Sequence, residues 1–268
     1  MKEYRLAVIG AGSMGSAILK GVLAAGVMSP EQIWLSNPHQ DKLTPFGDIG
    51  VHTTCSNAEA VTQSDIVILA VKPQRIEEVL DEIGSLLSGK CVVSIAAGIS
   101  KRWLEARLPG AQVICVMPNT PLMLGCGACA MTERGDIPEA LYATVRSVFA
   151  CAGEVAEIPE KQMNRIIPVN GSSPAFFFRM AEEMVNAAAD TGIDRDVALR
   201  LAAKTMEGAA KMLLESGKTA KALEQQVCSP GGTTLAALTA FDELDFSHLI
   251  REAFRRCTDR AEELGKRT

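Results

Sequence analysis

The strongest constraint on the fold is a glycine motif near the start of the chain. The apolar stretch Arg5–Ile9 runs directly into Gly10-Ala11-Gly12-Ser13-Met14-Gly15, which has the spacing G-x-G-x-x-G. In a strand–turn–helix unit the first glycine permits a sharp turn, the second lets a pyrophosphate approach the backbone, and the third lets the helix pack closely on the strand. Apolar side chains recur at helical spacing after Met14. The motif therefore predicts a dinucleotide-binding unit, and an incidental glycine-rich turn is the weaker interpretation.

Further apolar stretches in the first half of the chain predict a parallel sheet. These stretches are Ile33–Leu35, Asp65–Val71, Cys91–Ala96 and Val113–Met117. They are almost continuously apolar, which is typical of strands covered on both faces. After Pro168 the strand patterns stop and helical patterns take over. The predicted fold class is an α/β N-terminal Rossmann-like doubly wound sheet followed by an all-α C-terminal domain, with domains at residues 1–162 and 163–268.

The ends of the predicted strands are the candidate cofactor site, because ligands of such sheets bind beyond the carboxyl ends of the strands. Small residues, proline and neutral polar groups dominate there. The strand ends are Gly10–Met14, Ser36–Pro38, Ala70–Pro73, Ala96–Gly98 and Met117–Pro121. Each could be ordinary turn chemistry. Five such ends at one edge of a sheet favour a flat nicotinamide cofactor.

The second strand end favours NADP(H) over NAD(H). An NAD site usually carries an acidic residue about 20 residues beyond the glycines, where it binds the ribose hydroxyls. This chain has Ser36 and Asn37 there, with no acid until Asp41. A carboxylate would repel a 2′-phosphate, whereas serine and asparagine can donate hydrogen bonds to it. His39 and Lys42 could assist or could simply be solvated.

Composition excludes several other classes of protein. The 27 basic and 32 acidic side chains give a net charge of −5, which argues against nucleic acid or an anionic membrane as partner. Neither a membrane-spanning segment nor a signal peptide is predicted, so a cytoplasmic location is expected. Cys126 and Cys129 have redox-like or zinc-like spacing but lack a second pair, so no metal site is predicted.

The helical half of the chain predicts a homo-oligomer. Within Phe176–Asp190 and Val197–Ser216 the charged side chains follow one narrow stripe, and the remaining surface is apolar or small. Such helices are buried around most of their circumference, and about 100 residues cannot bury that much surface alone. A partner subunit is expected to cover the excess. His248–Leu264 has a single apolar stripe and is expected to be an outer helix.

One loop in the helical half is a candidate anion site. Gln226–Thr234 contains Ser229, two glycines and two threonines between two helical patterns. Free backbone N–H groups and hydroxyls of this kind can surround a carboxylate. The alternative is a plain interhelical turn in which Thr233 or Thr234 caps the next helix.

Six motifs, in this order, resemble the pyrroline-5-carboxylate reductase family over nearly the whole chain. The motifs are Gly10–Gly15, Ala70–Pro73, Ser94–Gly98, Met117–Pro121, Gly171–Ala175 and Ser229–Thr234. The last motif is the most specific, because the first would match many dehydrogenases. The chain departs from the resembled family at two places. Asn170 stands where the family usually has serine, and Asn164-Arg165 stands where relatives often carry an acidic residue.

The resemblance implies NAD(P)H-dependent reduction of 1-pyrroline-5-carboxylate to L-proline, the last step of proline biosynthesis, by a dimer with interleaved C-terminal helices. It implies a substrate site at Ser229, Gly231, Gly232, Thr233 and Thr234. Together with Ser36, the implied cofactor-binding residues are Ile9, Gly10, Ala11, Gly12, Ser13, Met14, Asn37, Asn57, Ala70, Val71, Lys72, Pro73, Ala96, Ala97 and Gly98.

The chemistry of this reaction asks little of protein side chains. A cyclic imine can arrive protonated, so we expect Thr234 to bind the ring nitrogen and relay its proton, as the catalytic residue. A β-hydroxyacid dehydrogenase needs a base for alcohol oxidation, and that family's lysine is missing here, since Phe176–Phe178 occupy the region and the next lysine is Lys204. Another imine-reducing oxidoreductase and a non-catalytic NADP-sensing protein stay open as alternatives.

Overall fold

The first half of the chain builds one eight-stranded sheet. A computed structural model describes residues 3–265. Its strands are β1 Leu6–Ile9, β2 Ile33–Ser36, β3 His52–Thr54, β4 Ile66–Leu69, β5 Cys91–Ser94, β6 Gln112–Met117, β7 Gly127–Thr132 and β8 Gly153–Ile158. They lie in the order β3-β2-β1-β4-β5-β6-β7-β8. The chain therefore winds outward from β1 in both directions, which creates the crevice that nucleotide-binding sheets use.

Strand direction changes once across the sheet. The six strands from β3 to β6 are parallel, β7 runs antiparallel to β6, and β8 runs parallel to β7. The predicted strands are all present, with ends that differ by one or two residues from the prediction. Neither β3 nor the β7–β8 edge is predicted from the sequence.

The helices follow the strands and then continue without them. Those associated with the sheet are α1 Ser13–Ala24, α2 Gln40–Gly47, α3 Asn57–Thr62, α4 Ile76–Ile83, α5 Lys101–Arg107, α6 Glu139–Ala150 and α7 Met163–Ile166. The remaining helices are α8 Ser173–Asp190, α9 Arg195–Glu215, α10 Ala220–Val227, α11 Thr233–Glu243 and α12 Phe246–Gly265. The predicted fold class is confirmed, because a doubly wound sheet precedes an all-helical region.

Helices cover both faces of the sheet, which explains why its strands are apolar throughout. Side chains of β1 alternate between two cores: Leu6 and Val8 join one that includes Phe149 of α6, and Ala7 and Ile9 join another that includes Leu80 of α4. Since successive residues of a strand point to opposite faces, a strand covered on both sides has no solvent-facing position for a polar residue.

The chain divides into two compact units, Met1–Ser172 with Cys257–Thr268, and Ser173–Arg256. The division predicted from the sequence follows residue 162 and keeps the C-terminal segment with the helices. The last turns of α12 instead belong to the first unit, although this helix was expected to be an outer one. The extreme ends of the two predicted domains, residues 1–2 and 266–268, lie outside the described residues.

The second unit is a set of helices with many apolar side chains at its surface. The pair α8 and α9 is joined by Arg195, whose guanidinium bonds Glu182 at 2.9 Å and Asn186 at 2.9 Å. The exposed apolar residues of these two helices include Phe177, Phe178, Met184, Leu199, Leu201, Leu213 and Leu214. Patches of this kind mark protein interaction sites. They lie on the two helices whose narrow polar stripes predicted a partner subunit.

Candidate functional site

The glycine motif forms a tight turn at the end of β1. Gly10 has φ +110°, and a Cβ there would lie 2.7 Å from the carbonyl oxygen of Ala70. A Cβ on Gly15 would lie 2.2 Å from the Gly10 carbonyl oxygen. Steric constraint from neighbouring backbone therefore explains Gly10 and Gly15. Gly12 differs, because a Cβ there meets nothing within 4 Å among the described residues. The space beside Gly12 is open to a ligand.

The N-terminus of α1 faces this open space. Gly12 is its N-cap residue, and within the described residues no side chain caps the helix. The first N–H groups of a helix have no intrahelical partner and carry the positive end of its dipole. An exposed helix start without a side-chain cap is suited to bind a phosphate.

A cleft of about 440 Å³ brings most of the predicted cofactor residues together. Its lining includes Gly12, Ser13, Met14, Ala70, Val71, Lys72, Pro73, Ala96 and Ala97 from the predicted set, joined by Ile95, Met117, Pro118, Ile167, Gly171 and Ser172. Ile9 and Ala11 are buried at 1% and 5% exposure, so their side chains belong to the core. Gly98 lines a neighbouring cavity of about 370 Å³. Ile167 is not among the residues predicted from the sequence.

The end of β2 holds Asn37 in an orientation suited to hydrogen-bond donation. The Asn37 backbone N–H donates to the Thr54 carbonyl at 3.2 Å, and its Oδ1 accepts from the His39 N–H at 3.0 Å. The Nδ2 group has no hydrogen-bond partner among residues 3–265. Because the oxygen is occupied, this side chain presents donors to any group beyond the strand.

The Ser36 hydroxyl is hydrogen-bonded within the protein. It is fully buried at 0% exposure, and its hydroxyl donates to Asn57 Oδ1 at 2.7 Å. The Asn57 Nδ2 in turn donates to Glu82 Oε2 at 2.7 Å. A buried hydroxyl that gives its proton to Asn57 cannot donate directly to a cofactor phosphate. Ser36 therefore holds Asn57 in place.

The end of α12 packs against the wall of the cleft. Three positions on one face of this helix make these contacts. Cys257 Sγ lies 3.3 Å from Ser172 Oγ, Ala261 packs with Met117 and Ile167, and a Cβ on Gly98 would lie 3.1 Å from Leu264 Cβ. Their spacing of about one turn each places them along one stripe. Only the fold brings this segment to the residues that line the cleft.

The candidate substrate loop, in the second unit, precedes α11. Gly231 has φ +68°, and the Gly232 N–H donates to the Ser229 carbonyl at 2.9 Å. Gly232 is the N-cap residue of α11, and no side chain caps this helix within the described residues. The alternative in which Thr233 or Thr234 is the N-cap is therefore wrong. Thr234 is half-buried, and its hydroxyl has no hydrogen bond among the described residues.

Known proteins with similar sequences match this chain from end to end. The pyrroline-5-carboxylate reductase of Escherichia coli is 39% identical over 267 residues, which covers 98% of this chain and 99% of that protein. A family model described as pyrroline-5-carboxylate reductase dimerisation matches residues 160–264. The chain belongs to the pyrroline-5-carboxylate reductase family. It is therefore an oxidoreductase, and the resemblance of its motifs is confirmed.

Solved structures of pyrroline-5-carboxylate reductases share this fold over their full length. The reductase from Coxiella burnetii has a TM-score of 0.92 at 32% identity, covering 98% of this chain and 99% of that one. The Plasmodium falciparum enzyme, solved with NADP bound, has a TM-score of 0.88 at 26% identity, covering 99% of each chain. A second family model, NADP oxidoreductase coenzyme F420-dependent, matches residues 5–98, the segment that contains the glycine motif and most of the cleft residues.

Asn170, one of the positions at which the sequence departs from the motif it resembles, connects two strands next to the cleft. Its Nδ2 donates to the Met117 carbonyl at 2.7 Å and to the Ala128 carbonyl at 3.0 Å. Asn119 completes the arrangement, since its Oδ1 accepts from the Ala128 N–H at 2.9 Å. The two amides continue the pairing of β6 and β7 past its last residue pair. A serine hydroxyl, with one proton, could not donate to both carbonyls.

The cysteines range from buried to exposed. Burial raises the pKa of the Cys91, Cys115 and Cys129 thiols to about 12, so these stay protonated and unreactive at neutral pH. Cys126 is exposed, unlike Cys129 of the same motif.

Within residues 3–265 no group of three potential metal ligands occurs. No helix in the same range is long and apolar enough to span a membrane.

Proposed function

We propose that this chain reduces 1-pyrroline-5-carboxylate to L-proline with NADPH as the preferred hydride donor. Family membership supports the reaction. The structural observation that carries the proposal is the cleft beyond the strand ends, whose described lining contains a single ionisable side chain, the exposed Lys72. Hydride addition to a protonated C=N bond needs no buried general base, whereas alcohol oxidation does. The same observation disfavours a β-hydroxyacid dehydrogenase.

The proposed cofactor contacts come from backbone groups and small residues. Gly12 and the start of α1 would hold the pyrophosphate, and residues 70–73 with Ala96 and Ala97 would line the nicotinamide end. When bound, the reduced nicotinamide supplies the hydride, and the protein supplies position. Holding two reactants in the correct geometry can lower a barrier by ~7–11 kcal/mol.

The proposed substrate contacts come from the loop before α11. The backbone N–H groups of Gly231 and Thr233 would bind the carboxylate, with Ser229 beside them, because the Gly232 N–H already donates to the Ser229 carbonyl. The Thr234 hydroxyl would bond the ring nitrogen and relay its proton. Support for this assignment is the hydroxyl's lack of any hydrogen bond in the described chain, which leaves it available for a ligand.

The preference for NADPH is proposed from the end of β2. Asn37 offers its Nδ2 hydrogens there, and no acid occupies the β2 end itself. Hydrogen-bond donors at this strand end favour a 2′-phosphate. We further propose a homodimer or larger assembly joined through α8 and α9, whose exposed apolar side chains would be covered by a partner. The cytoplasmic location stays a prediction.

One assay tests the reaction and its alternatives. Purified protein is mixed with NADPH and either pyrroline-5-carboxylate, another cyclic imine, or a hydroxy or keto acid, and the nicotinamide absorbance is followed. We expect turnover with pyrroline-5-carboxylate and slow or no turnover with the oxygen substrates. Preference for a hydroxy or keto acid would contradict the proposal. Tight NADPH binding with no turnover of any substrate would identify a cofactor-sensing protein instead.

A further inference from the structure

A chain of hydrogen bonds leads from the end of β2 to an acidic residue on α4. Ser36 Oγ donates to Asn57 Oδ1 at 2.7 Å, and Asn57 Nδ2 donates to Glu82 Oε2 at 2.7 Å. Along the sequence, no acid follows this strand end before Asp41. The fold supplies one from a residue 46 positions after Ser36.

These hydrogen bonds lie at the position that the adenosine ribose occupies in nucleotide-binding sheets. In doubly wound sheets the residue at the end of the second strand contacts the ribose, and a carboxylate there selects the 2′-hydroxyl. Ser36 is the last residue of β2, and Asn57 is the first residue of α3. Asn57 therefore stands between the end of the strand and Glu82.

The bonds fix the direction of the Asn57 amide. Its oxygen accepts the Ser36 proton, so its Nδ2 group must face Glu82, and one Nδ2 hydrogen stays available. Glu82 is exposed on α4 and within the described residues makes no ion pair that would neutralise its charge. A ligand group that bonds the remaining Nδ2 hydrogen would therefore lie close to an unneutralised carboxylate.

We propose that Glu82 is a specificity-determining residue that weakens binding of the 2′-phosphate and so narrows the preference for NADPH over NADH. The inference rests on the proposed use of a nicotinamide dinucleotide. Asn37 and the free Nδ2 hydrogen of Asn57 attract the phosphate, and Glu82 opposes them by repulsion. The ribose hydroxyls of NADH carry no charge and escape this penalty.

The expected size of the effect follows from exposed charges near a surface. A carboxylate and a phosphate dianion separated by several ångströms in a largely aqueous medium change affinity by about three- to tenfold. Salt screens such a pair, since the Debye length is about 8 Å at 0.15 M and about 3 Å at 1 M. A charge effect must therefore shrink at high salt, whereas a packing effect would not.

The test compares Glu82→Gln with Asp81→Asn. Glutamine can still accept the Asn57 hydrogen bond, so the first variant removes only the charge. Asp81 is the neighbouring exposed acid on α4 and makes no hydrogen bond or ion pair in the described chain. The second variant thus makes the same change in net charge. Fluorescence titrations give the Kd for NADPH and for NADH at low salt and at 1 M salt, with melting temperatures as a check on folding.

We expect Glu82→Gln to tighten NADPH binding about three- to tenfold at low salt, with NADH binding unchanged and the gain reduced at 1 M salt. Asp81→Asn should leave both affinities as they are. Unchanged NADPH affinity in Glu82→Gln, an equal change for both cofactors, or the same change in Asp81→Asn would each overturn the inference. If the unaltered protein binds neither nucleotide, the proposed function fails instead.

Discussion

Replacing Thr234 by alanine separates a role in catalysis from a role in folding. Gly232 caps α11, so Thr234 lies at its second helical position without a capping bond. Its hydroxyl makes no hydrogen bond among residues 3–265. Removing that hydroxyl therefore removes no intramolecular bond from the described chain, and alanine is the better helix former by ~0.5 kcal/mol. Thr234→Ala should melt at or slightly above the temperature of the unaltered protein.

Activity should respond in the opposite way. A hydroxyl that takes part in proton transfer to the ring nitrogen contributes about 10²–10⁴-fold to the rate. We expect kcat/KM for pyrroline-5-carboxylate to fall by that factor in Thr234→Ala. The Kd for NADPH should stay constant, because the proposed cofactor contacts lie in the first half of the chain. Thr234→Ser, which keeps the hydroxyl, should retain much of the activity.

Thr219→Ala is the matched control. Thr219 is the N-cap residue of α10, and its Oγ1 accepts from the Ala222 N–H at 3.2 Å. Loss of such a cap costs ~1 kcal/mol of stability, so this variant should melt lower and keep its kcat/KM. Calorimetry and steady-state kinetics on all variants provide the measurements. If Thr234→Ala turns over normally, the assignment of Thr234 to the reacting nitrogen is refuted.

Three further predictions concern the nucleotide turn, the assembly and pH. Gly12→Ala should fold normally, because the added Cβ fills only open space, and should bind NADPH more weakly, because that space is the proposed pyrophosphate site. Gly15→Ala should also lose stability, because its Cβ would lie 2.2 Å from a backbone carbonyl oxygen. Equal melting temperatures of the two variants would contradict this prediction. Leu201→Glu should dissociate the assembly, as measured by light scattering, because the Leu201 side chain is 64% exposed in the single chain and lies on the proposed interface. Arg200→Glu, on the polar stripe of the same helix, should leave the assembly intact. An intact assembly in both variants would refute the proposed interface. Hydrogen bonds from two lysines lower the pKa of Glu207 from 4.5 to about 2, so the stabilisation that these ion pairs give the fold is present above pH 4.5 and is lost as the pH falls toward 2. Glu207→Gln should therefore lower the melting temperature slightly at pH 7 and not at pH 2. An equal loss at both pH values would count against a contribution from the ion pairs.

The sequence by itself determined the features that depend on short stretches of chain. Glycine spacing around Gly10–Gly15 indicated the nucleotide turn, because strand, turn and helix are adjacent in the chain. The apolar stretches predicted the buried parallel strands, since a strand covered on both faces must be apolar throughout. The narrow polar stripes of α8 and α9 predicted their large exposed apolar surface. Motif order was enough to indicate the family.

Tertiary structure alone decided the features that join distant segments. Ser36 was expected to face the cofactor, yet its burial and its bond to Asn57 depend on how α3 packs beside β2. Glu82 reaches the same edge from α4, and no local pattern encodes that approach. The last turns of α12 join the first unit, because the stripe of Cys257, Ala261 and Leu264 has its partners at Ser172, Met117, Ile167 and Gly98. Periodicity shows that a helix has an apolar face, but the partner of that face is set by the packing of the whole chain.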